Sequence, residues 1–183
     1  MRPVLPGKDT NSILFPYFCS MMKIGLLSDT HSSLHPRLYE FFADSDEIWH
    51  AGDIGDLQTY EQLASFRPVR AVHGNIDGHE IRLLCPEFLD FRAERVDVLI
   101  THIGGYPGRY DWRARQKITE MKPKLFICGH SHILKVIYDQ KYKMLVVNPG
   151  AAGNSGFHRS ITMVRFVIDG EQIKDMEVMD IKR

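Results

Sequence analysis

The sequence predicts an α/β fold, and three observations predict it. From Lys23 onward, short apolar runs alternate with amphipathic helical stretches, the order that builds parallel strands. Five of the apolar runs end in Asp, Asn or His, and α/β folds build their sites at the carboxyl ends of strands. The final third changes to two hairpin patterns. At 183 residues the chain is about one domain, long enough to bury most of its apolar surface without staples.

Residues 1–22 stand apart. Pro3, Pro6 and Pro16 interrupt them, and Pro16 cuts the apolar patch Ile13-Leu14-Phe15. They make a poor signal peptide, and their apolar patch is too short to span a bilayer. The expectation is an N-terminal extension, disordered or added by a mis-assigned start with the true one at Met21 or Met22. A single domain then covers 23–183. Its first strand, Ile24-Gly25-Leu26-Leu27, ends in Asp29-Thr30-His31. A helix follows from Arg37 to Ala43; Pro36 suits its first turn, and Leu38, Phe41 and Phe42 give it an apolar face. Ile48-Trp49-His50-Ala51 leads to Gly52-Asp53. Asp56 to Phe66 reads as a second helix, with Asp56 as its cap and Leu57, Tyr60, Leu63 and Ala64 facing inward. Pro68 ends it.

Val69-Arg70-Ala71-Val72 leads to Gly74-Asn75-Ile76-Asp77, and Val98-Leu99-Ile100-Thr101 to His102. Tyr110 to Met121 reads as a third helix with Arg and Lys on its outer face. Leu125-Phe126-Ile127-Cys128 leads to Gly129-His130-Ser131-His132, where Gly129 allows a sharp turn. Ile133 to Tyr138 and Met144 to Val147 flank Asp139-Gln140-Lys141. Ile161 to Ile168 and Ile173 to Met179 flank Asp169-Gly170. The C-terminal hairpins are expected to form a second, largely antiparallel sheet packed on the first.

Lys plus Arg balances Asp plus Glu at 23 each, so bulk charge carries no nucleic-acid or membrane signature. Cys19, Cys85 and Cys128 show no paired spacing, which favours a reducing, cytoplasmic setting and argues against a disulfide framework. Cys128 sits in an apolar run and reads as a small core residue. Nine histidines are many for this length, and metal sites are a common use of clustered histidine.

Asp29, His31, Asp53, Asn75, His102, His130 and His132 are oxygen and nitrogen donors with no thiolate cluster. That set suits manganese, iron, cobalt, nickel or zinc rather than a structural zinc. Seven ligands are too many for one ion, but two ions sharing a bridging carboxylate would use them all. Asp53 is the natural bridge, because its strand lies between those of the other two early motifs. Two metals about 3.5–4 Å apart clamp an in-line displacement at phosphorus and lower the pKa of a bridging water. Helix capping or a satisfied core histidine explains any one of these residues, but not five such motifs at successive strand ends.

The ordered set Asp29-x-His31, Gly52-Asp53, Gly74-Asn75-x-Asp77, His102 and Gly129-His130-x-His132 resembles the signature of the calcineurin-like metallophosphoesterases. The resemblance runs from Lys23 to roughly the C-terminus. The size and Asn148-Pro149-Gly150 look like the small bacterial and archaeal phosphodiesterase branch, to which the eukaryotic retromer subunit is also similar. The resemblance implies two packed mixed β-sheets flanked by α-helices. It implies a first metal on Asp29, His31, Asp53 and His132 and a second on Asp53, Asn75, His102 and His130, with Asp53, Asn75 and His102 central to catalysis. Manganese is the foremost choice for both ions. The implied activity is hydrolysis of a small phosphodiester or phosphomonoester by a metal-bridging hydroxide.

Two positions depart from the family pattern. Ile76 stands where many members carry a proton-donating histidine. Ile103 follows His102 where the family usually has glycine, a loop variation that keeps the ligand. Asp77 is expected to support a ligand. His50 and His73 either do the same or fill the core. His158 and Arg159 belong to a solvated loop or meet substrate phosphate. The alternatives are a catalytically weak scaffold on the same fold and a nucleotide or protein phosphatase of a neighbouring branch. The expected partner is a small phosphoester, with no nucleic acid or membrane; a homo-oligomer stays open.

Overall fold

The structure, a computed structural model, describes residues 21–183. The extension thus lies, up to residue 20, outside the described residues. In chain order the strands are β1 (Met22–Leu27), β2 (Glu47–His50), β3 (Val69–Ala71), β4 (Phe88–Ala93), β5 (Val96–Thr101), β6 (Gly105–Tyr106), β7 (Arg109–Tyr110), β8 (Leu125–Ile127), β9 (Leu134–Asp139), β10 (Met144–Pro149), β11 (Ser160–Asp169) and β12 (Gln172–Lys182). The helices are α1 (Arg37–Phe41), α2 (Leu57–Phe66), α3 (His79–Leu84) and α4 (Trp112–Met121).

Two five-stranded mixed sheets pack face to face, ordered β12-β11-β1-β2-β3 and β4-β5-β8-β10-β9. β1, β2 and β3 run parallel, as do β5, β8 and β10. Burial on both faces explains why the inner runs Ile24-Gly25-Leu26-Leu27 and Leu125–Ile127 are apolar throughout rather than alternating. Ile24, Leu26, Val98, Ile100, Leu125, Ile127 and Phe166 meet between the sheets. Their neighbours in sequence face outward under helices: Leu27 with Leu38, Phe42 and Leu63, and Leu99, Phe126 and Cys128 with Ala114 and Ile118. Each such side chain contributes about 1.5–3 kcal/mol on burial.

The expected second sheet is organised differently. The C-terminal hairpin β11–β12 does not join β9–β10; β11 pairs antiparallel with β1 and extends the first sheet. The hairpin β9–β10 joins the second sheet through β8. Local hairpin signals specify strand pairs, and the partner sheet is then chosen by long-range burial. Four elements were not legible. β6 and β7 are two-residue strands, and Tyr110 belongs to β7, so the third predicted helix starts at Trp112 with Asp111 as its cap. β4 is an edge strand with one wet face, so its sequence is mixed, and α3 is a six-residue helix with Leu83 and Leu84 exposed. In α2, Asp56 caps by accepting the Thr59 N–H at 2.8 Å. Thr59 is buried beside Leu63, and Ala64 is exposed rather than inward. No helix among the described residues is long and apolar enough to cross a membrane.

Candidate metal centre

The loops after β1, β2, β3, β5 and β8 meet at one rim. The first two run side by side: Asp29 N–H donates to Gly52 O at 2.9 Å and His31 N–H to Asp53 O at 3.0 Å. The second sheet is tied in by His102 Nδ1, 2.8 Å from Ala51 O, and by His130 N–H, which donates to Asp29 Oδ2 at 3.1 Å. Gly74 and Gly129 are needed because a Cβ at either would run into a neighbour, Asp53 Oδ1 and Ser28 Oγ respectively. Gly129 has no positive φ, so close approach rather than a sharp turn is its reason.

Six of the seven candidate ligands fall into two groups, Asp29 with His31 and His132, and Asp53 with His102 and His130. In each group the ligand atoms lie within 4.8 Å of one another. Asp53 links them: its Oδ2 is 3.8 Å from His31 Nε2 and 3.2 Å from His102 Nε2. β2 lies between β1 and β3, as expected of the bridging strand. Asn75 is exposed and lines a cleft together with His102. Asp29, His31, Asp53, His130 and His132 all have positive φ, between 46° and 67°. Such backbone strain is uncommon outside glycine and clusters at functional sites.

Hydrogen bonding fixes what the ring nitrogens offer. A carbonyl only accepts, so His102 Nδ1 carries the proton toward Ala51 O, and a neutral His102 turns a bare Nε2 inward. That Nε2 faces the carboxylates of Asp53 and, at 3.9 Å, Asp29. Lone pairs thus face lone pairs. Asp29 Oδ1 and His102 Nε2 are both buried without a hydrogen bond, although Asp29 Oδ1 is 3.2 Å from His132 Nε2. Buried polar atoms rarely go unpaired, and a cation between them removes the conflict. In its absence the conflict draws a proton: burial disfavours charge on His102, but Asp53, Asp29 and Ala51 O outweigh it and raise the pKa. The donor set fits two divalent cations.

A family profile described as the calcineurin-like phosphoesterase superfamily domain matches residues 22–171. The chain belongs to the calcineurin-like phosphoesterase superfamily. A probable metallophosphoesterase of Methanothermobacter thermautotrophicus is 30% identical over 165 residues, covering 86% of this chain and 92% of its own. A phosphodiesterase of Methanocaldococcus jannaschii is 27% identical over 150 residues, covering 70% of this chain and 83% of its own. In fold the chain is similar to Vacuolar Protein Sorting 29 from Cryptosporidium parvum, with a TM-score of 0.70 and 16% identity, covering 89% of this chain and 99% of that one.

Several further residues support this calcineurin-like rim, and two of them, Ser28 and Arg82, carry no motif signal. Ser28 Oγ donates to Asp29 Oδ2 at 2.6 Å. Asp77 does not touch a candidate ligand side chain; it accepts from Gly55 N–H and Gly74 N–H, each at 2.7 Å, and so clips two loops together. Asn148 donates to Gly129 O at 2.7 Å and to Ser131 Oγ at 3.1 Å, holding the histidine loop. Arg82 holds the loop after β3 by donating to Asp77 O and Gly74 O. His73 lies half-buried beside it, with Nδ1 3.1 Å from the Arg82 guanidinium. Cys128 packs under α4, where burial pushes its thiol up to about 12; it is a core residue.

His50 is buried and fully used in its neutral form. Nδ1 accepts Gly52 N–H at 3.1 Å, and Nε2 is 2.9 Å from Thr30 Oγ1, whose own proton goes to Ile54 O. Burial, first, lowers its pKa to about 4. The unfolded chain takes up a proton near 6.5 and the folded one does not. The stability is therefore complete above pH 6.5 and is lost as pH falls toward 4. The loss is about 3 kcal/mol over that window. Urea unfolding of chelator-treated protein from pH 7 to 5 should show this decline in wild type and a shallower one in His50→Gln.

His158 is the largest departure from expectation. The loop around it is exposed, as expected, but His158 itself is half-buried and both of its ring nitrogens are engaged within the protein. Its Nε2 lies 3.0 Å from Gly153 O and its Nδ1 3.1 Å from His132 Nδ1. The carbonyl demands Nε2–H, and burial, with His132 and Arg183 nearby, lowers the His158 pKa and keeps the ring neutral. Its Nδ1 therefore accepts from His132 Nδ1–H, leaving His132 Nε2 bare and turned toward Asp29. Such orienting partners are typically worth 10- to 100-fold in metal affinity. His158→Ala should weaken one class of divalent-ion sites by about that factor in a calorimetric titration, while the other class stays within about threefold. His158→Gln, which can accept and donate at the same two places, should recover most of it.

Proposed function

We propose that the chain is a two-metal phosphodiesterase acting on a small phosphoester. The convergence of bare acceptors at Asp29 Oδ1, Asp53 Oδ2, His102 Nε2 and His132 Nε2 carries this reading, two of them being buried and unpaired. Asp29, His31, Asp53 and His132 would hold one ion; Asp53, Asn75, His102 and His130 the other. Bound there, two divalent ions, manganese foremost, neutralise phosphoryl oxygens and acidify water.

The chain's own residues do the rest. Ile76 N–H holds Asp53 Oδ1 at 3.0 Å, which turns Oδ2 to both groups. His130 is exposed and His31 half-buried, so substrate approaches over them. Arg82, Arg113 and Glu87 line the cleft that holds Asn75 and His102; Glu87 pairs with Arg113, so the positive charge that draws an anion there rests on Arg82. The name of the Methanocaldococcus relative supports a diester over a monoester. A scaffold on this fold has no physical need for a lone-pair conflict in its interior.

The test is metal content by mass spectrometry, followed by hydrolysis of bis(p-nitrophenyl) phosphate and p-nitrophenyl phosphate with manganese, nickel or zinc. Two ions per chain and faster diester hydrolysis are expected. A protein that takes up no divalent ion, or that when loaded cleaves neither ester, sinks the proposal and leaves the scaffold reading.

A further inference from the structure

A cavity of about 390 Å³ shares His130 with the candidate metal centre and extends from it between the β6–β7 hairpin and β9. Its volume is in the range of small-ligand sites. Ile103, Tyr106 and Ile133 give it apolar walls, and Arg109 and Lys135 give it positive charge. Lys135 Nζ lies 4.2 Å from the centre of the Tyr106 ring. The acidic residue in the wall, Asp111, is already engaged: it caps α4 through Arg113 N–H and Ala114 N–H and pairs with the Arg113 side chain at 3.7 Å. No ion pair of the described residues uses Lys135 or Arg109.

The hairpin wall is built in rather than draped. Asp111 N–H donates to Gly104 O at 3.0 Å, and Tyr110 OH donates to Asp139 Oδ2 at 2.6 Å. The cavity is therefore preformed, apolar on its walls, cationic, and open to the place where a phosphate would react.

We propose that this cavity seats one ester group of the substrate, and that this group is a ring carrying a second negative charge. The substrate class is a phosphodiester with a nucleotide-like half. The ring packs on Ile103, Tyr106 and Ile133 while the second anion meets Lys135 and Arg109, whose donors are otherwise free of carboxylate. An uncharged alkyl ester would leave both cations unmatched; a neutral ring would use only the walls. The placement of the reacting phosphate rests on the phosphoesterase reading.

The test is calorimetric binding to the manganese-loaded protein of four ligands: methyl phosphate, phenyl phosphate, 4-carboxyphenyl phosphate and thymidine 3′,5′-bisphosphate. Affinity should rise from the first to the second, and again by about tenfold with the second charge, the scale of one charge-assisted hydrogen bond. A gain for the bisphosphate alone assigns a phosphate to Lys135 and Arg109; a gain for both charged ligands assigns any anion. In Lys135→Gln and Arg109→Gln the ratio of charged to uncharged ring ligand should fall about tenfold. Four ligands binding within about twofold, or a charge step that survives both substitutions, overturns the proposal. Failure of the loaded protein to hydrolyse any diester would instead defeat the phosphoesterase reading, since these are binding equilibria.

Discussion

Asp53→Asn is expected to lose hydrolysis by about a thousandfold or more while leaving the metal-free protein at least as stable as wild type. The two halves of the result have one cause. The amide oxygen can keep the 3.0 Å hydrogen bond from Ile76 N–H, so the loop after β3 stays in place. The amide nitrogen then replaces a carboxylate oxygen 3.2 Å from His102 Nε2 and can donate to it. An acceptor facing an acceptor becomes a satisfied pair, and the attraction for a cation goes with it. Wild type should gain thermal stability when divalent ions are added, and the variant should gain far less, because only binding to the folded state stabilises it. Turnover in Asp53→Asn within tenfold of wild type, with metals supplied, would show that no bridging carboxylate is needed.

The second large effect concerns the leaving group. Along a series of phosphodiesters with leaving groups of rising pKa, the wild-type rate should fall steeply. Ile76 is 45% exposed on the rim, and its side chain holds no transferable proton. Its contribution to the centre is its backbone N–H alone. Without a general acid, an alkoxide must leave as an anion or take its proton from water, and loss of such catalysis typically costs about 10²–10⁴-fold. Ile76→His should flatten the slope by accelerating the poor leaving groups, since the exposed position admits a ring without repacking. A wild-type slope near zero, with chemistry shown to be rate-limiting, would mean that another residue donates the proton.

Much of the candidate centre was legible because its candidate ligands sit at strand ends. Apolar runs such as Leu125–Ile127 announce themselves, and the residue after a strand is where an α/β site is built. Asp29, Asp53, His102 and His132 could be assigned to one rim from order alone. The supports of those ligands were hidden for a physical reason. Ser28, Thr30, Asn148 and His158 act through hydrogen bonds to Asp29, His50, Gly129 and His132, which lie 1, 20, 19 and 26 residues away, and no periodicity marks a contact of that kind. His158 lies in a glycine-containing stretch that by composition is an ordinary loop; only the fold shows that it faces His132. The same limit applies to the sheets. Asp169-Gly170 correctly marked a hairpin, but that β11 pairs with β1 was set by burial of Val164 and Phe166 between the sheets.

The left-handed backbone at five of the candidate ligands bears on how such a site can change over generations. Asp, Asn and His tolerate this conformation better than other non-glycine residues, so the permitted alphabet at these positions is narrow before any metal is considered. A descendant that abandoned catalysis would be free to drift to glycine or asparagine at Asp29 or Asp53, and far less free to take valine or isoleucine. Part of the motif therefore records chain geometry, and it would outlast the chemistry as a partial fossil. Judging whether a diverged copy is still an enzyme should weigh His102, whose backbone is under no such constraint, more heavily than the residues that turn the chain.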